Sequence, residues 1–134
     1  MRNGNVLVVE DDDTIRRLLI DYLQNHEHVA VDGARDGVEA LHQLVTVSYA
    51  VVILDVLMPK MSGVDVLDSL EALISDPSVK SLDDPPSVFV ITSADRPSLP
   101  DDAIVARCPR MVRGVFRKPL EVEELAKCVE RYLT

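Results

Sequence analysis

Five polar residues stand where apolar runs end, and their types taken together could carry one reaction: Glu10 and Asp11, Asp55, Thr92, and Lys118. Val51-Val52-Ile53-Leu54 is apolar and mostly β-branched, the pattern of a strand buried on both faces of a parallel sheet, and it stops at Asp55. A single acid in that position is by default a strand cap or loop residue. Here the run ending at Val9 also meets Glu10-Asp11, the run ending at Ile91 meets Thr92-Ser93, and a last run meets Lys118. In an open parallel sheet, ligands collect outside the carboxyl ends of the strands, so these tips share one edge. Acids crowded there raise one another's pKa unless a cation neutralises them. Mg²⁺ takes one or two carboxylates with water and a phosphoryl oxygen, which suits Asp11 and Asp55. With a hydroxyl and an ammonium added, the set fits phosphoryl transfer to a carboxylate: Asp55 as nucleophile, a metal to collect charge, Thr92 and Lys118 on the equatorial oxygens.

The elements that must position these groups alternate. Strands are expected at Asn5 to Val9, His28 to Val31, Tyr49 to Leu54 running into Asp55, Val88 to Ile91, and about Gly114 to Arg117. Between them lie apolar stripes at helical spacing: Ile15, Leu18, Leu19, Tyr22 and Leu23; Val38, Leu41, Leu44 and Val45; Val64, Leu67, Leu70 and Ile74. A short helix over Asp101 to Arg107 is expected to stop at Pro109, and a closing helix carries Val122, Leu125, Ala126, Val129, Tyr132 and Leu133. Four consecutive acids, Glu10 to Asp13, repel one another, and Asp12 or Asp13 is available to cap the first helix. Gly33 and Asp36-Gly37 read as turn residues. Ser75 to Ser87 carries Pro77, Pro85 and Pro86 and reads as a long exposed loop.

Five strand–helix repeats leave no room for hairpins, so the expected fold is α/β, a doubly wound five-stranded parallel sheet of flavodoxin-like type with five helices. In the order 2-1-3-4-5 the strand ending at Asp55 is central, with the tips bearing Asp11 and Thr92 about 4.8 Å to either side. Lys118 is then about 10 Å away at the backbone, a gap its flexible stem spans.

At 134 residues the chain fits one domain, with a core that needs no staples. Its apolar runs are strand-sized and its start leads straight into a strand, so no membrane span or signal peptide is expected, nor a linker after the last helix, and the setting expected is cytoplasmic. A formal net charge of −9 disfavours direct binding to nucleic acid or anionic membrane and favours a protein partner. Cys108 and Cys128 have no metal-ligand spacing and read as free thiols, and His26, His28 and His42 do not cluster. The basic stretch Arg107, Arg110, Arg113, Arg117 and Lys118 reads about equally as a solvated face and as a docking or self-association surface.

The sequence resembles the receiver domain of two-component response regulators. The resemblance rests on Val-Val-Glu10-Asp11, Val-Ile-Leu-Asp55 followed by Met58-Pro59 and Gly63, Ile-Thr92-Ser93-Ala94, and Lys118-Pro119, in order across nearly the whole chain. It implies a phosphorylation switch. Asp55 would accept a phosphoryl group from a sensor histidine kinase or histidine phosphotransfer protein, and Glu10, Asp11 and Asp55, with the Leu57 backbone carbonyl, would hold Mg²⁺. Thr92 would turn toward the phosphate, Lys118-Pro119 would be a cis peptide, and an output face would change, with a phosphorylation-dependent dimer as one outcome. No turnover beyond the domain's own phosphorylation and dephosphorylation is implied. The chain departs from the family where a Tyr or Phe usually stands three residues before the lysine: Val115 is there, with Phe116 on the opposite strand face. The 75–87 loop is longer than usual, and 97–109 matches the family's fourth helix poorly. A phosphatase of haloacid dehalogenase type would need a second acid where Leu57 stands, and no phosphate-cradling glycine motif is present. A docking module on the same fold that ignores phosphorylation is the other alternative.

In receivers the side chains two residues after the phosphoacceptor and two after the threonine flank the path of the hydrolytic water, and here they are Leu57 and Ala94. Neither can hydrogen-bond to that water, so a phosphorylated state would decay slowly. Leu57→Asn should speed decay about tenfold, equivalent to ~1.4 kcal/mol of barrier. Decay curves after donor removal check this, and a wild type that loses its phosphate within seconds contradicts it.

Overall fold

The computed structural model describes residues 5–56, 62–76, 78, 85–92 and 101–133. Each apolar run becomes a strand and each amphipathic segment a helix, in alternation: β1 (Asn5–Val9), α1 (Asp13–Glu27), β2 (Ala30–Ala34), α2 (Gly37–Thr46), β3 (Val51–Asp55), α3 (Gly63–Ile74), β4 (Ser87–Thr92), α4 (Asp101–Arg107), β5 (Val112–Arg117) and α5 (Val122–Glu130). The five strands form one parallel sheet in the order β2-β1-β3-β4-β5, which makes β3 central. Every residue of β3 and β4 is buried, as a parallel sheet covered on both faces requires.

Side-chain alternation along the strands divides the interior into two cores. Leu7, Val9, Val52, Leu54, Val88 and Val90 meet α2, α3 and α4 on one face. Val6, Val8, Ile53, Phe89 and Ile91 meet α1 and α5 on the other. Val115 packs against the first core and Phe116 against the second, as strand alternation demands.

Several boundaries differ from the sequence reading. The second strand was expected at His28 to Val31, but His28 is the left-handed C-cap of α1 (φ 55°), and β2 runs from Ala30 through Gly33 to Ala34. Gly33 is therefore a strand residue and not a turn. A Cβ there would lie 3.0 Å from Ile20 Cδ1 and 3.2 Å from Arg16 Cδ, so its bare face lets α1 lie close on the strand. In α2 the buried face is Gly37, Ala40 and Leu44, whereas Val38 is 58% and Val45 39% exposed. The expected stripe was rotated because small residues carry the contact with the sheet. Leu18 of α1, at 53% exposed, is likewise outside the core face. The 75–87 loop falls largely outside the described residues.

Caps agree with the local chemistry. Asp12 accepts from the Thr14 and Ile15 backbone N–H groups at the start of α1. Ser62 and Asp65 form a reciprocal capping box at the start of α3. Cys108 is buried and Cys128 half-buried, both free. The Cys108 thiol donates to Glu71, and burial followed by that carboxylate pushes its pKa up to about 12. It is inert.

The start of α3 also supports β3. Gly63 donates its N–H to the Val56 carbonyl at 2.9 Å, and a Cβ on Gly63 would stand 2.5 Å from the Asp55 carbonyl oxygen and 2.7 Å from Val56 Cα. Those are backbone atoms and cannot turn aside. Gly63→Ala should therefore push α3 off the end of β3 and destabilise the fold by about 1–3 kcal/mol, read as a lower denaturation midpoint. An unchanged midpoint would mean that α3 shifts without cost.

Candidate functional site

The carboxyl ends of β1, β3, β4 and β5 converge on one edge of the sheet. Asp55 ends β3 with 1% of its surface exposed, Glu10 follows β1 with none, and Asp11 beside it is exposed. Ligand-capable oxygens of Glu10, Asp11 and Asp55 lie within 4.8 Å of one another. Lys118 reaches over from the end of β5, its Nζ 3.3 Å from Asp55 Oδ2 and 3.4 Å from Glu10 Oε2. The Lys118–Pro119 peptide is cis. Thus four of the residues singled out in the sequence are brought together in space.

Thr92 ends β4, one residue beyond Ile91, the register partner of Asp55, and it is fully buried. Its hydroxyl donates to the Phe116 carbonyl at 3.5 Å and accepts from Arg117 Nη1 at 3.4 Å, so it faces β5. Leu57 and Ala94 lie outside the described residues.

Electrostatics follow from this crowding. Burial, and then the neighbouring Asp55 carboxylate, push the Glu10 pKa from 4.5 up to about 8. Burial works against the Lys118 ammonium, yet Asp55 and Glu10 hold its pKa above the ordinary lysine value. Glu10 Oε2 is buried and accepts no hydrogen bond among the described residues. Its contact is the Lys118 ammonium at 3.4 Å, and a buried carboxylate that shares this ammonium with Asp55 and sits beside two further carboxylates belongs to a ligand set that fits a hard divalent cation. Among the described residues, the group able to hold a metal contains no histidine.

Two features beside the site were not read from the sequence. Arg16 of α1 donates from Nη1 to the Glu10 carbonyl at 2.9 Å and from Nη2 to the Asp13 carboxylate. Arg117 reaches Thr92 as described. Their signals were faint: an arginine three residues after an acid on a helix, and a basic residue preceding Lys118. The basic stretch does not form one face. Arg107 pairs with Asp68 at 2.9 Å and Arg110 with Glu71 at 2.7 Å, both on α3, while Arg113 lies 5.4 Å over the Tyr132 ring. Acids of α3, the helix packed beside α4, thus hold the first two of these arginines.

The response regulator receiver domain model matches residues 6–130. The chain belongs to the receiver domain family. Phosphorylation-dependent signalling in two-component systems is the general function of receiver domains, which bind Mg²⁺ at an acidic pocket and interact with histidine kinases and output partners. This receiver is 32% identical to the transcriptional regulatory protein YkoG of Bacillus subtilis over 125 residues, 93% of the chain and 49% of that protein. It is 43% identical over 75 residues to a protein-glutamate methylesterase/protein-glutamine glutaminase of Caldanaerobacter subterraneus, 55% of this chain and 20% of that one. The chain thus spans half or less of these curated relatives. Among solved structures, Vibrio cholerae CheY4 superposes with a TM-score of 0.76 at 25% identity, covering 96% of this chain and 98% of that one. Thermotoga maritima TrrA, solved with Mg²⁺-BeF, gives 0.74 at 26%, covering 97% and 99%. Among the described residues, no helix of this receiver is long and apolar enough to cross a membrane.

The sign of the Glu10 shift gives a pH dependence. A carboxyl with a higher pKa folded than unfolded stabilises the fold below its ordinary value, 4.5, and that contribution is lost as the pH rises through about 8. Denaturant titrations in chelator should show the wild type losing stability between those values relative to Glu10→Gln. Parallel pH profiles for the two proteins would remove Glu10 as the cause.

Proposed function

We propose that residues 1–134 form one receiver domain that accepts a phosphoryl group on Asp55 from a histidine kinase or histidine phosphotransfer protein, in a cytoplasmic setting. What carries the reading is the convergence of Glu10, Asp11 and Asp55 with the Lys118 ammonium at one sheet edge. Glu10, Asp11 and Asp55 would hold Mg²⁺, with the backbone carbonyl of Leu57, outside the described residues, completing the protein ligands. The ion would supply positive charge against the phosphoryl oxygens.

The chain's own groups do the rest. An Asp55 carboxylate oxygen attacks phosphorus; the new O–P bond forms as the donor's N–P bond breaks, and the donor imidazole nitrogen keeps the electron pair. Lys118 is positioned to leave its ion pair with Asp55 for a phosphoryl oxygen, since its ammonium already lies between Asp55 and Glu10. Thr92 would then exchange its contact with the Phe116 carbonyl for the phosphoryl group, a turn that also breaks its contact with Arg117. The consequence is a change at the β4 and β5 end of the sheet, which an output protein or a second copy of the chain would read.

Incubation with Mg²⁺ and a small phosphodonor should add the mass of one phosphoryl group to the wild type, none to Asp55→Asn, and none or only a trace to Asp11→Asn, whose fold should be as stable or more so. Wild type that gains no mass would favour a docking module indifferent to phosphorylation. Labelling of Asp11→Asn at the wild-type rate would remove Asp11 from the metal site.

A further inference from the structure

The run Glu10-Asp11-Asp12-Asp13 places four carboxylates on consecutive residues, yet the proposed metal site uses only two of them. Something must sort them. Asp12 is drawn off by the N-terminal amides of α1. Asp13, whose side chain is 83% exposed, is drawn off by Arg16. The other arm of the same guanidinium donates to the Glu10 carbonyl at 2.9 Å, while the Glu10 N–H donates to the Ala34 carbonyl at 3.0 Å. The Glu10 peptide is therefore held on both sides, by the end of β2 and by α1.

Arg16 is itself braced. Its stem crosses β2 at Gly33, where a Cβ would stand 3.2 Å from Cδ and 3.5 Å from Cγ, and only 17% of its side chain is exposed. A planar fork with donors in fixed directions suits this double engagement of a carbonyl and a carboxylate, whereas a lysine ammonium would serve one or the other.

We infer that Arg16, seated on Gly33, is a positioning residue for the metal-binding carboxylates: it fixes the Glu10 backbone and holds Asp13 out of the site. This rests on the reading that Glu10, Asp11 and Asp55 bind Mg²⁺. Its signature is a sign. Arg16 is a cation near a cation site, so by charge alone its removal tightens Mg²⁺ binding. By position its removal loosens binding, because Glu10 and Asp11 lose their fixed geometry.

Calorimetric titration of Mg²⁺ into the full chain separates the two, with thermal unfolding of each variant as the control for folding. Arg16→Ala should weaken Mg²⁺ affinity about tenfold or more, the scale on which partners that orient metal ligands act. Arg16→Lys should also weaken it despite keeping the charge. Gly33→Ala, whose Cβ would press on the Arg16 stem as well as on Ile20 Cδ1, should weaken it less and add nothing in the Arg16→Ala background. Should Arg16→Ala fail to fold, Arg16→Lys and Gly33→Ala carry the test. Wild type that binds Mg²⁺ while the variants bind as tightly or more tightly overturns the inference alone. Wild type that binds no Mg²⁺ overturns the metal reading and this inference with it.

Discussion

Three carboxylates meeting at one edge of a parallel sheet repel one another, and two of them, Glu10 and Asp55, are almost wholly removed from water. Left alone, such a cluster would open the loops that carry it. It persists because it is enclosed by parts that do not yield: a central strand buried along its whole length, a helix whose first residue abuts the Asp55 carbonyl, and a lysine that places one positive charge between two acids. Among the described residues the Lys118 ammonium lies against these acids, and burial, followed by the Asp55 carboxylate, pushes the Glu10 pKa up to about 8.

The two cores give that edge its rigidity. Glu10 and Asp11 extend from β1 and Asp55 from β3, neighbouring strands in fixed register from Val6↔Val51 to Val9↔Leu54. A one-residue slip would turn every side chain to the wrong face, so burial on both sides fixes the distance between the acids as firmly as it fixes the fold. Thr92 and Arg117, paired in register at the ends of β4 and β5, lie on the same face as the α2–α4 core. A change at Thr92 is therefore felt on that side of the sheet first.

How much of this could be read in the residues differs from element to element. The strand tips were legible because each of these apolar runs ends on a polar residue proposed for the chemistry, and one edge collects them. β2 was misplaced because Gly33 looks like a turn residue in sequence, and only the approach of α1 shows that it is a strand residue stripped of its side chain. The face of α2 was misread for a related reason: Gly37 and Ala40 touch the sheet through backbone and methyl, while the larger Val38 and Val45 face outward. Arg16 went unnoticed because it reaches the site through the Glu10 backbone carbonyl, which sequence patterns do not record, and its Asp13 partner reads as an ordinary pair on a helix surface. The opposite faces of Val115 and Phe116 were read correctly, since strand alternation leaves no freedom there.

β5 lies at the outer edge of the sheet, where a strand ordinarily exposes a row of amides and carbonyls to any extended chain. Its register with β4 breaks between Val88 and Phe89, where Arg113 is the extra residue, exposed and drawn over the Tyr132 ring. The bulge bends the ladder, and the Arg113 side chain turns back over the sheet, its Nε donating to the Ser87 hydroxyl of β4 at 3.4 Å. A ladder broken at its start is a poor template for an added strand, so an extended chain approaching β5 would find continuous register only over the stretch from Gly114 to Arg117.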